Sequence, residues 1–206
     1  MTNLEQGISN IDQKRAGGTM IMFIFLGAIA LVVLWAIAKY NGLISLRNQT
    51  ENGWKQIDVQ LKRRHDLIPN LVNTVKGIMT FEQETLEKVV AARSAAMGAK
   101  GVADSAAKEG VLTEALSKFM VVVEQYPQLR SSENVKQLQE ELTSTENKIA
   151  FARQFYNDIA TRFNTAQQVF PGNLIANNFG FKPVELFEIT DAAERAVPVV
   201  DLSLKK

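Results

Sequence analysis

VKQLQEELTSTENKIAFARQFYNDIATRFNTAQQVF, residues Val135 to Phe170, is the stretch that decides the fold. Positions 135, 138, 142, 145, 149, 152, 156, 159, 163, 166 and 170 hold Val, Leu, Leu, Thr, Ile, Ala, Tyr, Ile, Phe, Ala and Phe. The steps alternate three and four without a break. That is the seam of a long helix packed at a shallow angle in a bundle or coiled coil. Ser131 or Ser132 supplies an N-cap, Glu133 falls in the first turn, and Phe170-Pro171-Gly172 ends the helix.

Working outward, the same signal recurs upstream. Trp54, Ile57, Leu61, Ile68, Leu71 and Val75 mark the seam of a helix from about Ile44 to Lys76, with Arg64 at its one polar step. Pro69 lies inside that helix and is expected to bend it, and Gly77 reads as its C-cap. Thr80 with Gln83 resembles a capping box opening a second helix to Met97. A third is expected over Ser105–Tyr126, with Leu112, Leu116, Phe119, Val123 and Tyr126 on one face. The reading is all-α: an up-down four-helix bundle. The first and last helices are the longest, so the two short ones cover half of that pair. The remaining half needs Gly172–Lys206, whose Leu174, Ile175, Phe179, Phe181, Val184, Leu186, Phe187 and Ile189 suit a tail packed on the bundle. Asp191–Ala196 reads as a short helical piece.

Ahead of the bundle, Thr19–Ala38 is a run of twenty uncharged residues. At the helical rise it spans roughly 30 Å, the thickness of a bilayer core. Trp35 and Tyr40 near one end suit an interface. Lys14, Arg15 and Ala36-Ile37-Ala38 also have the elements of a cleaved signal, but the apolar run exceeds a signal core. Retention as a single-pass anchor in the cell's inner membrane is expected. Lys39, Arg47 and Lys55 after the span outnumber Lys14 and Arg15 before it, favouring a cytoplasmic bundle. The closeness of Lys14 and Arg15 leaves the periplasmic side open. The chain thus divides into a short segment 1–18, a transmembrane helix 19–38, a bundle 39–171 and a tail 172–206.

Composition narrows the chemistry. There is no cysteine, which excludes disulfides, thiolate metal sites and a catalytic thiol, and a single histidine, His65, excludes a multi-histidine centre. A net charge of +1 gives no overall attraction to nucleic acid. No phosphate-binding glycine loop, nucleophile elbow or Glu-x-x-His pair occurs, so no catalytic residue, cofactor or metal site is expected. Lys62-Arg63-Arg64-His65-Asp66 is the densest charge cluster. It reads either as a patch for acidic lipid or protein, or as a helix face laced with ion pairs, with Arg64 paired to Glu140, Glu141 or Glu146 across the seam.

The segments Tyr40–Leu43, Gly53–Arg64, Asp66–Val72, Val75–Gly77, Glu124–Pro127, Thr145–Ala150, Arg153, Tyr156-Asn157 and Phe170-Pro171 together resemble the LemA family over nearly the whole chain. The resemblance implies an N-terminal membrane helix, an outer N-terminus and a four-helix bundle. It implies no defined molecular activity. One branch resembles the magnetosome proteins that help form or organise an internal membrane. Ile78-Met79-Thr80-Phe81 departs from the pattern, where relatives often place Tyr and His, so no role for those side chains carries over.

The function expected is that of a non-enzymatic, membrane-anchored scaffold or adaptor that presents its bundle to a protein partner. The alternatives are a self-assembling, membrane-organising homo-oligomer and an unrecognised enzyme. The candidate interaction residues are Lys62, Arg63, Arg64, Phe179, Phe181 and Phe187. The three phenylalanines are anchors for the tail, on its own bundle in preference to a neighbouring subunit.

Overall fold

The computed structural model of the chain describes the backbone of residues 2–78 and 83–188, and side-chain surroundings over 18–76 and 83–188. Among the described residues there are helices and no strands. They are α1 (Thr2–Ile78), α2 (Gln83–Met97), α3 (Gly101–Gln125), α4 (Pro127–Ser131), α5 (Glu133–Gln168) and α6 (Gly172–Asn178).

The largest difference from the sequence reading is α1. A membrane segment and a separate helix from Ile44 were expected; one helix of 77 residues, roughly 115 Å long, replaces both. No proline interrupts residues 1–68, and Gly42 alone costs about 1 kcal/mol, too little to end a helix carried by burial on its far side. The pair Arg47 Nε–Glu51 Oε1 at 3.1 Å and the Gln49–Ser45 contact at 3.1 Å add support one turn apart. The helix also continues through Pro69 and past Gly77, so Gly77 is not the residue beyond its end.

Other boundaries shift by small amounts. α3 begins at Gly101, four residues before the expected Ser105. Gly101 takes φ 81°, a left-handed conformation that a side chain disfavours. Lys100 N–H donates to Asp104 Oδ2 at 2.8 Å and closes that turn. Tyr126 separates α3 from the short α4, which was not anticipated. Ser132 does occupy the N-cap of α5, but its side chain makes no capping hydrogen bond. The Thr80 half of the proposed capping box, Ile189 and the piece 191–196 lie outside the described residues.

α1 and α5 form an antiparallel pair. Leu43 shares a cluster with Phe163, Gly53 lies against Tyr156, and Ile57 shares a cluster with Ile149. Of the eleven seam positions in α5, seven are buried and three half-buried; Phe170, beyond the helix end, is 79 % exposed. Three apolar clusters follow one another along the pair. Ile68, Leu71 and Val75 meet Leu86, Val89, Leu112, Phe119, Val123, Leu129, Val135 and Leu142. Ile57, Leu61, Ile149 and Tyr156 meet Ala106 and Phe187. Leu43 and Phe163 meet Ala176, Ile175 and Phe181. α2 and α3 thus cover one end of the pair, and α6 with the chain up to Phe187 covers the other. The apolar residues Met20–Leu34 are exposed throughout, and α1 is long and apolar enough there to cross a membrane.

Candidate functional site

The charge run of α1 is divided by the helix geometry. Successive side chains turn through about 100°, so Lys62 and Arg63 face outward while Arg64 and His65 face inward. Arg63 lies 3.7 Å from Glu141 on the surface. Arg64, 2 % exposed, is the largest of the fully buried side chains among the described residues. It is therefore unavailable as a surface interaction residue.

A buried charge needs partners that replace water. Arg64 Nη1 donates to Glu146 Oε2 at 2.5 Å and to Thr113 Oγ1 at 2.9 Å. Its Nη2 donates to the carboxylate of Glu109 and to the Glu109 carbonyl at 3.4 Å. His65 Nε2 sits 2.7 Å from Glu109 Oε1. Arg93 Nε donates to the His65 carbonyl at 2.7 Å. One polar knot thereby joins α1, α2, α3 and α5. Burial alone pushes the Glu109 carboxyl up; the His65 hydrogen bond and the nearby Arg64 and His65 charges outweigh it, and the carboxyl sits below its ordinary 4.5.

The expected partner of Arg64 among Glu140, Glu141 and Glu146 is Glu146. Glu109 was missed, although it carries a signal. It stands three residues before Leu112, on the same stripe that runs through Leu116, Phe119 and Val123. A polar step in one stripe opposite a polar step in another marks a buried pair. Chemically the knot resembles a carboxylate-oriented imidazole, but the capacity of Glu109 is used internally, by Arg64 and His65, and the one donor of Arg64 left unpaired, Nε, is buried. Two grooves on α5, of about 620 and 550 Å³, are lined by none of its members. Among the described residues, no group of three or more His, Asp or Glu is arranged to hold a metal ion.

The second constellation holds the tail. Asn157 Oδ1 accepts the Phe187 N–H at 2.8 Å and its Nδ2 donates to the Phe187 carbonyl at 3.1 Å. Asn164 treats Val184 the same way, at 2.9 Å in both directions. Seven helical residues advance about 10 Å, as do three extended ones, so the two amides match positions three residues apart in an extended chain. Tyr156 Oη donates to the Glu185 carbonyl at 2.7 Å, and burial, then the Glu185 charge, pushes that phenol up, so it remains a donor. Phe187 is 3 % exposed, with Trp54 at 6.0 Å and the Arg153 guanidinium 5.9 Å above its ring. Phe181 is half-buried, 6.3 Å from Phe163 and 5.9 Å from Tyr40. Phe179 is not buried: it is 61 % exposed, with its ring 4.7 Å from that of Tyr40. The three phenylalanines therefore do not form one site.

The LemA family model matches residues 53–202. That range takes in the knot, the asparagine clasp and the corner between α5 and α6. The chain is 24 % identical to the magnetosome protein MamQ of Magnetospirillum gryphiswaldense, over 92 % of this chain and 80 % of that protein. It is 24 % identical to magnetosome protein MamQ 2 of Paramagnetospirillum magneticum, over 86 % and 75 %. It is 25 % identical to protein LemA of Metamycoplasma hominis, over 81 % and 77 %.

Proposed function

Since this chain belongs to the LemA family, we propose that it is a single-pass, membrane-anchored and non-enzymatic scaffold, presenting an up-down four-helix bundle to a protein partner on the cytoplasmic side of the inner membrane. The continuity of α1 carries this reading. Its first part exposes an apolar surface of bilayer length, and its second part supplies the inner seam of the bundle through Ile57, Leu61, Ile68 and Leu71. A helix shared in this way couples the orientation of the bundle to the membrane without a hinge. The polar groups inside the bundle support a structural role, because Arg64, His65, Glu109 and Glu146 bond to one another, with Arg64 Nε left unpaired. Lys62 and Arg63, exposed on the outer face of α1, are candidate contacts for the partner.

A second reading is a membrane-organising homo-oligomer. It is favoured by the groove lined by Val59, Phe151, Ala152 and Phe155, in which Val59, Phe151 and Phe155 are exposed. The relatives named as magnetosome proteins are consistent with it. Crosslinking in the native membrane, followed by native mass measurement in mild detergent, tests the two. A defined complex with a different protein, held through the bundle, is the expected result. A uniform assembly of this chain alone would replace the scaffold with the oligomer.

A further inference from the structure

The corner between α5 and α6 has the wrong surface for a water-facing turn. Val169, Phe170, Leu174 and Phe179 are all exposed within eleven residues. Between Arg162 and Lys182 the chain carries no charged side chain at all. Exposed aromatic and aliphatic residues interleaved with neutral amides and bounded by cations are the composition of a segment lying in a membrane interface.

Position agrees with composition. Phe163 shares a cluster with Leu43 across the antiparallel pair. Val169 lies thirteen residues beyond Tyr156, which packs on Gly53, so about 20 Å along the axis it comes level with Tyr40 on α1. Independently, the Phe179 ring packs 4.7 Å from Tyr40, two residues after the apolar run ends. Both measures put the corner at the height where Thr19–Ala38 leaves the hydrocarbon.

We infer that this corner is a second membrane contact, in which Val169, Phe170, Leu174 and Phe179 enter the boundary between headgroups and acyl chains beside α1. This rests on the anchor reading of Thr19–Ala38. The occupant is lipid because Phe179, against Tyr40, brings the apolar corner beside the end of the exposed apolar run of α1, and Lys39, Arg162 and Lys182 suit anionic headgroups. One helix in a bilayer leaves the bundle free to rotate about its axis. A second contact to one side removes that freedom and fixes which face of the bundle points away from the membrane.

The absence of native cysteine makes the test direct. Full-length Leu174→Cys, Ile29→Cys and Gln128→Cys are each nitroxide-labelled and placed in vesicles of phosphatidylcholine and phosphatidylglycerol. Accessibility to oxygen and to a water-soluble nickel chelate reports depth. The label at 29 should read deep, the label at 128 aqueous, and the label at 174 at interface depth, with nickel accessibility several-fold below that at 128. Adding Phe170→Asp to the Leu174→Cys protein should move its label toward water at an unchanged melting temperature. A deep label at 29 with an aqueous label at 174 overturns the second contact and leaves the anchor standing. An aqueous label at 29 overturns both. A label at 174 shielded from both reagents, with spin–spin broadening, shows a second copy seated there and overturns lipid as the occupant.

Discussion

Arg64 and Glu109 are held in place by what each would cost alone. Removing one member of a buried pair strands the other in low dielectric, a loss of about 3–5 kcal/mol, whereas replacing both with apolar groups can be close to neutral. Arg64→Ala should therefore destabilise by about 3–5 kcal/mol in denaturant titration of the full chain in detergent. Arg64→Met combined with Glu109→Leu should cost clearly less than the sum of the two single changes. Additive losses would mean that the pair is not coupled. The same carboxylate gives the bundle an acid sensitivity. Its folded value lies below the ordinary 4.5, so its contribution is present above that value and is lost as pH falls through the folded one. Arg64 and His65 of α1 face it, and Glu146 of α5 lies on the other side of Arg64. A melting profile against pH should fall below about pH 4.5 and be flatter there in Glu109→Gln. Equal slopes would remove Glu109 from the account. At this scale the sequence was half legible. Arg64 stood out as a polar step in an apolar seam, and one of its partners was named. Glu109 escaped because the stripe of α3 was read only from Leu112 onward, where it is uniformly apolar.

Helices with a strong period were read well, and their joints were not. The three-four seam of α5 buries Leu142 and Ile149, because one face of a helix that long must be covered. Leu142→Ala and Ile149→Ala should each cost roughly 2–5 kcal/mol, against less than about 0.5 for exposed Lys136→Ala. Similar losses at all three positions would deny the seam. The asparagine clasp was invisible to that method, since Asn157 and Asn164 sit beside the seam and read as ordinary surface. Their spacing of seven is the trace they leave: two amides on one face, ready for an extended strand. Asn157→Ala leaves the Phe187 N–H and carbonyl without partners, a loss of about 1–3 kcal/mol. Faster hydrogen exchange at the Phe187 amide is the expected signal, and protection equal to that of the unaltered chain would show that the clasp is incidental. The α1 joint was misplaced for a related reason. A change from apolar to amphipathic composition marks a change of surroundings, and the backbone passed through it as helix.

For the whole molecule, the decisive question is what covers the half of the α1–α5 pair that α2 and α3 do not reach. The chain from Gly172 through Phe187 lies there, with Phe179 turned outward. Covering that half buries Leu43, Ile57, Tyr156 and Phe163. Gly172 is part of the device: a Cβ at that position would lie 2.7 Å from the Ala166 carbonyl oxygen, so the chain can turn back onto the pair only where a side chain is missing. The anchored chain truncated after Gly172 would lose the clasp and the Phe187 ring, whose truncation to Ala alone is worth about 3–5 kcal/mol at a buried site. Its melting temperature in detergent should fall. Hydrogen exchange should rise around Ile57 and Tyr156 while Leu71, Leu112 and Phe119, enclosed by α2 and α3, keep their protection. That split follows from the order of the three clusters along the pair, since removing the last cover exposes the nearest clusters first. An unchanged melting curve, or exchange rising equally at Phe119 and Tyr156, would mean that the tail does not cover one end of a divided core, and that its apolar residues serve something outside this chain.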